Sequence, residues 1–196
     1  MKYLRKCLDI ILASKKRGAV LDVGCGKGKL SKFFYERGFD VTALDKSQKV
    51  INSIKKQFGN KIKARREDVE NLNLKENYDI IIAKNVLHLL SNKEKAIEVI
   101  KNLQAHTKKS GMHLIIGPTT KDQSYREEKF FIKPKEMRKI YSDWACLFCK
   151  TFFTELEAHD GLPPHRHHLF IGLFVKRQEK DDKLRKAACF FQSIAD

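Results

Sequence analysis

The chain has 196 residues, of which 42% are apolar and 33% charged, with 10 Gly and 4 Pro; these proportions describe a globular domain and exclude a collagen-like or low-complexity chain. The longest unbroken apolar stretch near the middle, Ile80-Ile81-Ile82-Ala83, is far short of the ~18–20 residues a membrane helix needs. Lys and Arg number 40 against 24 Asp and Glu, a formal charge of +16, so the surface attracts anions. Charge alone does not separate a nucleic-acid footprint from a Lys-rich solvated surface.

Leu4, Cys7/Leu8 and Ile11/Leu12 recur at helical spacing and predict a short amphipathic helix on the core, ended by Gly18. Ala19–Val23 reads as a strand. It runs into Gly24-Cys25-Gly26-Lys27-Gly28, after which Leu30, Phe33 and Phe34 mark a helix closed by Gly38. Phe39–Leu44 is strand-like and stops at Asp45. Val50, Ile51, Ile54 and Phe58 form a helical stripe broken by Gly59-Asn60, and Ile62–Arg66 is a short strand leading to Glu67-Asp68-Val69. Tyr78–Ala83 is a buried-type strand, Ile97, Ile100 and Leu103 mark a helix, and Met112–Ile116 is a strand after Gly111. This alternation predicts an α/β, doubly wound, mostly parallel sheet of seven strands.

The pattern changes after Gly117. Pro118–Lys133 is polar and irregular, and Pro134 opens a helix through Tyr141. Trp144–Glu155 and His167–Lys176 read as an antiparallel pair joined by the turn-rich 160–164, closing the sheet. Residues 1–177 are expected to form one domain. Residues 178–196 form a tail, helical on the strength of Leu184, Ala187, Ala188 and Phe191, or disordered.

The strongest chemical signal is Val20-Leu21-Asp22-Val23-Gly24-Cys25-Gly26-Lys27-Gly28. Glycines at a strand-to-helix turn allow positive φ and bring a ligand close to the backbone, at the sheet edge where open α/β folds bind ligands. Asp45 ends the next strand, where a carboxylate can accept from ribose hydroxyls, and Asp68 follows the third. A dinucleotide site is the rival, but the pyrophosphate fingerprint needs glycine where Lys29 stands, and Asp22 before the turn suits a ligand ammonium better than a pyrophosphate.

These residues resemble motif I of the class I S-adenosylmethionine-dependent methyltransferases, over nearly all of residues 19–176, and imply the Rossmann-like methyltransferase fold. The resemblance implies S-adenosyl-L-methionine as cofactor. Its ribose falls to Asp45, with Lys46 beside the adenine. The adenine amino group falls to Asp68, with the Val69 amide next to it, and the methionine end to Ala83–His88, including Asn85. Asp22, Gly24, Cys25 and Gly26 form the loop beneath it. Lys109-Ser110-Gly111 stands where the superfamily often has a Pro-Gly-Gly turn. Within the superfamily the chain is most similar to the small tellurite-resistance-type methyltransferases, through motif I with Tyr35–Asp45, Lys135–Tyr141 running into Trp144, and the basic-histidine stretch before the last strand. That resemblance implies a small acceptor such as an oxyanion of tellurium or selenium, or a thiol. The stretch before Ala19 is short for a long N-terminal lid.

Methyl transfer requires a nucleophile within ~3–3.5 Å of the methyl and exclusion of water. A soft nucleophile needs little base assistance, whereas a hydroxyl or amine needs a base nearby. His165-Arg166-His167-His168 is the second distinctive cluster. On a strand His165 and His167 share a face, and Arg166 is a bidentate partner for oxygen acids, so His165, Arg166 and His167 are candidate catalytic residues against a plain polar strand start. His88, just past the fourth strand, is a further candidate. Tyr125, Arg126, Phe130 and Phe131 in the insertion form either a lid or, for the two phenylalanines, core.

Cys146-x-x-Cys149 invites a metal or redox reading, but on a regular strand positions three apart face opposite sides, and no second such pair exists, so no metal is expected. Cys25 is a small filler. Five cysteines without a disulfide-framework spacing, and an N-terminus whose short apolar run is interrupted by Asp9 and followed by Lys15-Lys16-Arg17, predict a cytoplasmic protein with reduced thiols. The expected partner is a small-molecule substrate, with no membrane and the oligomeric state left open. Two alternatives stand beside it. One is a nucleic-acid methyltransferase using the basic surface, against which Lys84-Asn85-Val86-Leu87 lacks the Asn/Asp-Pro-Pro-Tyr/Phe pattern of amino-methylating enzymes. The other is a cofactor-binding regulator without turnover.

Overall fold

The structure is a computed structural model that describes residues 2–157 and 164–177. Seven strands form one sheet: β1 (Ala19–Val23), β2 (Asp40–Asp45), β3 (Lys63–Arg66), β4 (Tyr78–Lys84), β5 (Thr107–Pro118), β6 (Trp144–Phe153) and β7 (His168–Lys176). Their order is β3-β2-β1-β4-β5-β7-β6. The first five are parallel, and β7 pairs antiparallel with both β5 and β6. The doubly wound sheet and its antiparallel closure are as expected. The turn-rich link through Pro163 and the tail 178–196 lie outside the described residues.

Two separate apolar cores lie on the two sheet faces, because the buried strands are apolar on both sides. On one face α1 (Lys2–Ser14), α2 (Lys29–Tyr35) and α3 (Gln48–Phe58) contribute Cys7, Ile11, Phe34, Ile51 and Ile54. On the other, α4 (Lys93–Ala105) and α5 (Pro134–Ile140) contribute Val99, Ile100, Leu103 and Met137. The helix starts follow local chemistry: Ser47 and Asn92 accept from the backbone N–H of Val50 and Lys95, and Pro134 stands in the first turn of α5.

Two expectations need correction. β5 begins at Thr107, not Met112, so Lys109-Ser110-Gly111 lies inside a strand rather than in a turn. The register shifts between Tyr78 and Ile80, and Ser110 adopts φ 56°, so this stretch is an irregular strand that simple alternation conceals. Thr107 is held there by donating to Leu103 O (2.6 Å). Its hydroxyl then accepts from His113 Nε2 (2.7 Å), which leaves His113 Nδ1 to accept from the Tyr141 hydroxyl (2.7 Å). His113 is fully buried, and burial pushes its pKa down to about 3, so it is a neutral core residue tying β5 to α5.

The alternative left open for Phe130 and Phe131 is decided for core, at 1% and 6% exposure, while Tyr125 and Arg126 of the same insertion face outward. The second correction is that β6 carries a bulge between Cys146 and Phe148, so Cys146 and Cys149 share a face instead of opposing each other.

Candidate functional site

The sheet order reverses between β1 and β4, and a cavity of about 700 Å³ opens at the carboxyl ends of these strands. Asp22, Gly24, Cys25, Gly26, Asp45, Lys46, Asp68, Val69 and Asn85 all line it. Nine positions separated by up to 63 residues thus converge because each sits at or just past a strand end on the same sheet edge.

The loop after β1 needs its glycines for two different reasons. Gly24 has φ 66°, and a Cβ there would lie 2.7 Å from Val86 Cγ2. Gly26 has φ 50°, but a Cβ there would meet nothing within 4 Å, because it would project into open space. Gly26 N–H donates to Asp45 Oδ2 (3.0 Å) and Ser47 N–H to Asp45 Oδ1 (2.9 Å), which fixes the carboxylate while each oxygen keeps acceptor capacity. Asp68 is exposed and caps a short 3₁₀ turn by accepting from Glu70 N–H (3.1 Å).

Asp22 is 3% exposed and accepts from the Ser31 hydroxyl (2.6 Å). Burial pushes its carboxyl up to about 6, against the lowering effect of Ser31 and of nearby Lys84. A carboxyl so desolvated gains most from a cationic partner brought into the cavity. Cys25 is a suppressed thiol, pushed up to about 12 by burial and by Asp22 and Asp45. Leu4, Leu30, Phe33 and Leu89 add apolar walls. Leu4 belongs to α1, so the first helix borders the cavity as well as lying on the core, a contact that a helical stripe does not reveal. The combination of an open glycine cradle, two carboxylates with spare acceptor capacity, a buried carboxyl and apolar walls fits an adenosyl amino acid.

His88, His165, Arg166 and His167 do not line this cavity. They gather beside it at the adjoining tips of β5 and β7, except for Arg166, which is exposed. The link is the 3₁₀ turn Leu87–Leu89, where Val86 and Leu89 line the cavity and His88 packs on Phe131 (5.9 Å between ring centres). Burial lowers the pKa of His88, and its buried Nδ1 makes no hydrogen bond. His165 and His167 do share a face, with 3.2 Å between their Nε2 atoms.

The organiser of the cluster is Asp122, which motif reading missed. Its Oδ1 accepts from Ser124 N–H and Oγ (2.9 and 2.5 Å), and its Oδ2 from His168 N–H (2.7 Å) and His167 Nδ1 (3.1 Å). Burial pushes this carboxyl up, but the Ser124 and His168 donors and the nearby His167 outweigh it and hold the pKa below the usual value. A carboxylate at Nδ1 favours the proton on that nitrogen and leaves Nε2 toward His165. His168 bonds Thr119 through Nδ1 and is buried, a positioning rather than an open group. An Asp-x-Ser step inside a polar insertion was the available signal for Asp122, but only proximity to β7 gives it meaning.

A family model described as tellurite resistance protein TehB matches residues 6–161. The probable S-adenosyl-L-methionine-dependent methyltransferase TehB of Haemophilus influenzae (strain 10810) is 32% identical over 146 residues, which is 72% of this chain and 51% of that protein. Hemagglutinin 1 of Eikenella corrodens is 32% identical over 162 residues, 80% of this chain and 54% of that protein. This chain therefore spans about half the length of the curated relatives it matches. The crystal structure of TehB from Haemophilus influenzae superposes with a TM-score of 0.77 at 25% identity, covering 88% of this chain and 62% of that one. N-methyltransferase NodS from Bradyrhizobium japonicum WM9, in complex with S-adenosyl-L-homocysteine, shares the fold at 14% identity, with a TM-score of 0.71 over 90% of this chain and 87% of that one.

Proposed function

The chain belongs to the tellurite resistance protein TehB family, and from that premise we propose that it transfers a methyl group from S-adenosyl-L-methionine to a small, soft acceptor. The observation that carries this reading is the cavity at the β1/β4 switch, where Gly26 opens space between the buried Asp22 and the Asp45 carboxylate. When bound, the cofactor supplies a sulfonium methyl already activated for in-line displacement.

The chain's own residues then bind, orient and exclude water. Asp45, held by the Gly26 and Ser47 amides, accepts from the ribose hydroxyls. Asp68 and the Val69 amide address the adenine, with Lys46 alongside. Asp22 receives the ligand's ammonium, which relieves its desolvation, and Asn85 flanks the same end. Leu4, Leu30, Phe33 and Leu89 shield the cavity from water.

The acceptor enters from the β5/β7 side. Asp122 orients His167, and His165 extends the hydrogen-bonded chain, so a protonated acceptor loses its proton to imidazole as the new bond forms. The exposed Arg166 guanidinium offers donors to acceptor oxygens, while His88 packs behind the site on Phe131. The acceptors this reading favours are small thiols, whose proton the imidazole takes, and oxyanions of tellurium or selenium, whose lone pair needs no base. A labelled-methyl assay with tellurite, selenite, small thiols and total RNA in parallel tests the reading. Label in one small acceptor and none in RNA is expected.

A second reading rests on the charge of +16. Label in RNA, with affinity falling steeply in salt, replaces the small-acceptor reading with nucleic-acid methylation. Cofactor uptake without label in any arm replaces it with a binding regulator.

A further inference from the structure

The Cys-x-x-Cys of β6 has no part in the proposed methyl transfer, yet the fold goes out of its way to pair it. Cys146 stands opposite Phe174, Phe148 opposite Leu173 and Cys149 opposite Gly172, so Leu147 is an inserted residue. The insertion turns Leu147 and Phe148 together into the core beneath α1–α3, and leaves Cys146 and Cys149 together against the core beneath α4 and α5. Both cysteines pack on the same core cluster, and the positive charges of Arg138 on α5 and of Lys150 lie close enough to Cys149 to favour its thiolate. Both are half-buried rather than sealed, and opposite Cys149 the space above Gly172 is taken by the Phe170 and Phe174 rings, which give the pair an apolar floor.

We propose that Cys146 and Cys149 form a dithiolate site for a soft, thiophilic monovalent cation of the copper(I) class. Thiolates select such cations, whereas a structural zinc site requires four ligands, and no group of three or more His, Cys, Asp or Glu side chains is placed to hold a metal among the described residues. A direct disulfide is the poorer fit. It needs Cβ atoms ~3.5–4.5 Å apart, while successive same-face positions of a strand lie ~6.5 Å apart along the chain. A bridging atom puts two metal–sulfur bonds in place of one sulfur–sulfur bond and spans that gap.

The chemistry balances without an oxidant. Two S–H bonds break, two metal–sulfur bonds form, and both protons leave to solvent. Two thiolates around one monovalent cation carry a single net negative charge, which Arg138 and the nearby Lys150 offset. Cys25, by contrast, has the Asp22 and Asp45 carboxylates nearby, which disfavour its thiolate.

The test is an anaerobic titration of the reduced full chain with copper(I) against a chromophoric copper(I) chelator. One equivalent withheld from the chelator is expected, with the count of reactive thiols falling by two. Cys146→Ser and Cys149→Ser should each weaken retention at least tenfold, and Cys189→Ser should leave it unchanged. Retention by the doubly substituted chain, or loss in Cys189→Ser alone, overturns the proposal. X-ray absorption on the unsubstituted protein gives a reading that no folding defect can confuse: two sulfur scatterers support the site, and a shell with nitrogen or with more sulfurs overturns it.

Discussion

Asp22→Asn separates the stability of the empty fold from its capacity to hold a ligand. The carboxyl is 3% exposed and raised from 3.8 to about 6, mainly by burial. That rise corresponds to ~3 kcal/mol. Because the folded pKa is raised, the native state binds more protons than the unfolded chain between these values. Stability is therefore fully present below pH 3.8 and is lost as pH rises through 6. Asparagine keeps an acceptor for the Ser31 hydroxyl and removes the charge. Urea unfolding of both proteins without ligand, at pH 4 and pH 8, should show the variant gaining ~2–3 kcal/mol on the wild type at the higher pH. Titrations elsewhere in the fold occur in both proteins and cancel. In the same variant, affinity for S-adenosyl-L-homocysteine should fall ~10–100-fold, the ~1.5–3 kcal/mol of a charge-assisted hydrogen bond. A stability difference identical at the two pH values refutes the desolvation argument, and unchanged affinity refutes the ammonium assignment.

Gly26→Ala should cost only the ~1–2 kcal/mol of a left-handed non-glycine residue, since no protein atom opposes the new Cβ, yet reduce ligand uptake more than tenfold; thermal melting and calorimetry measure the two effects. Gly24→Ala should melt well below Gly26→Ala because its Cβ also strikes Val86. Asp122→Asn and His167→Ala should each lower turnover tenfold or more and change its pH profile, while ligand affinity stays within a few-fold; full turnover in both would make the cluster structural. Arg166→Ala should raise KM for an oxyanion acceptor more than it lowers kcat, and equal effects on both would deny it a binding role. With a folded pKa of about 3, His113 leaves the unfolded chain binding more protons between pH 3 and 6.5, so stability rises with pH across that window. The His113 ring resonances should keep their neutral positions down to pH 4, and titration near 6.5 would refute its burial.

Much of the fold was legible because its signals are local. Strand and helix periods, the glycines after β1 and the acids after β2 and β3 lie within a few residues of the structure they specify, and a parallel sheet brings strand ends to one edge. What misled was also local in form. Regular alternation places Cys146 and Cys149 on opposite faces, and only the pairing of β6 against β7 reveals the inserted Leu147. Phe130 and Phe131 look alike in a lid or a core until the insertion folds back on the sheet. Asp122 carries no motif, since its role depends on His167 and His168, 45 and 46 residues away. By itself the amino-acid sequence determined the layer order, the cofactor-type loop and the acids around it, because hydrophobic period and backbone sterics act over short spans. The tertiary structure alone decided which side chains meet across strands, because hydrogen bonds and buried charges depend on distances in space that a linear spacing does not encode.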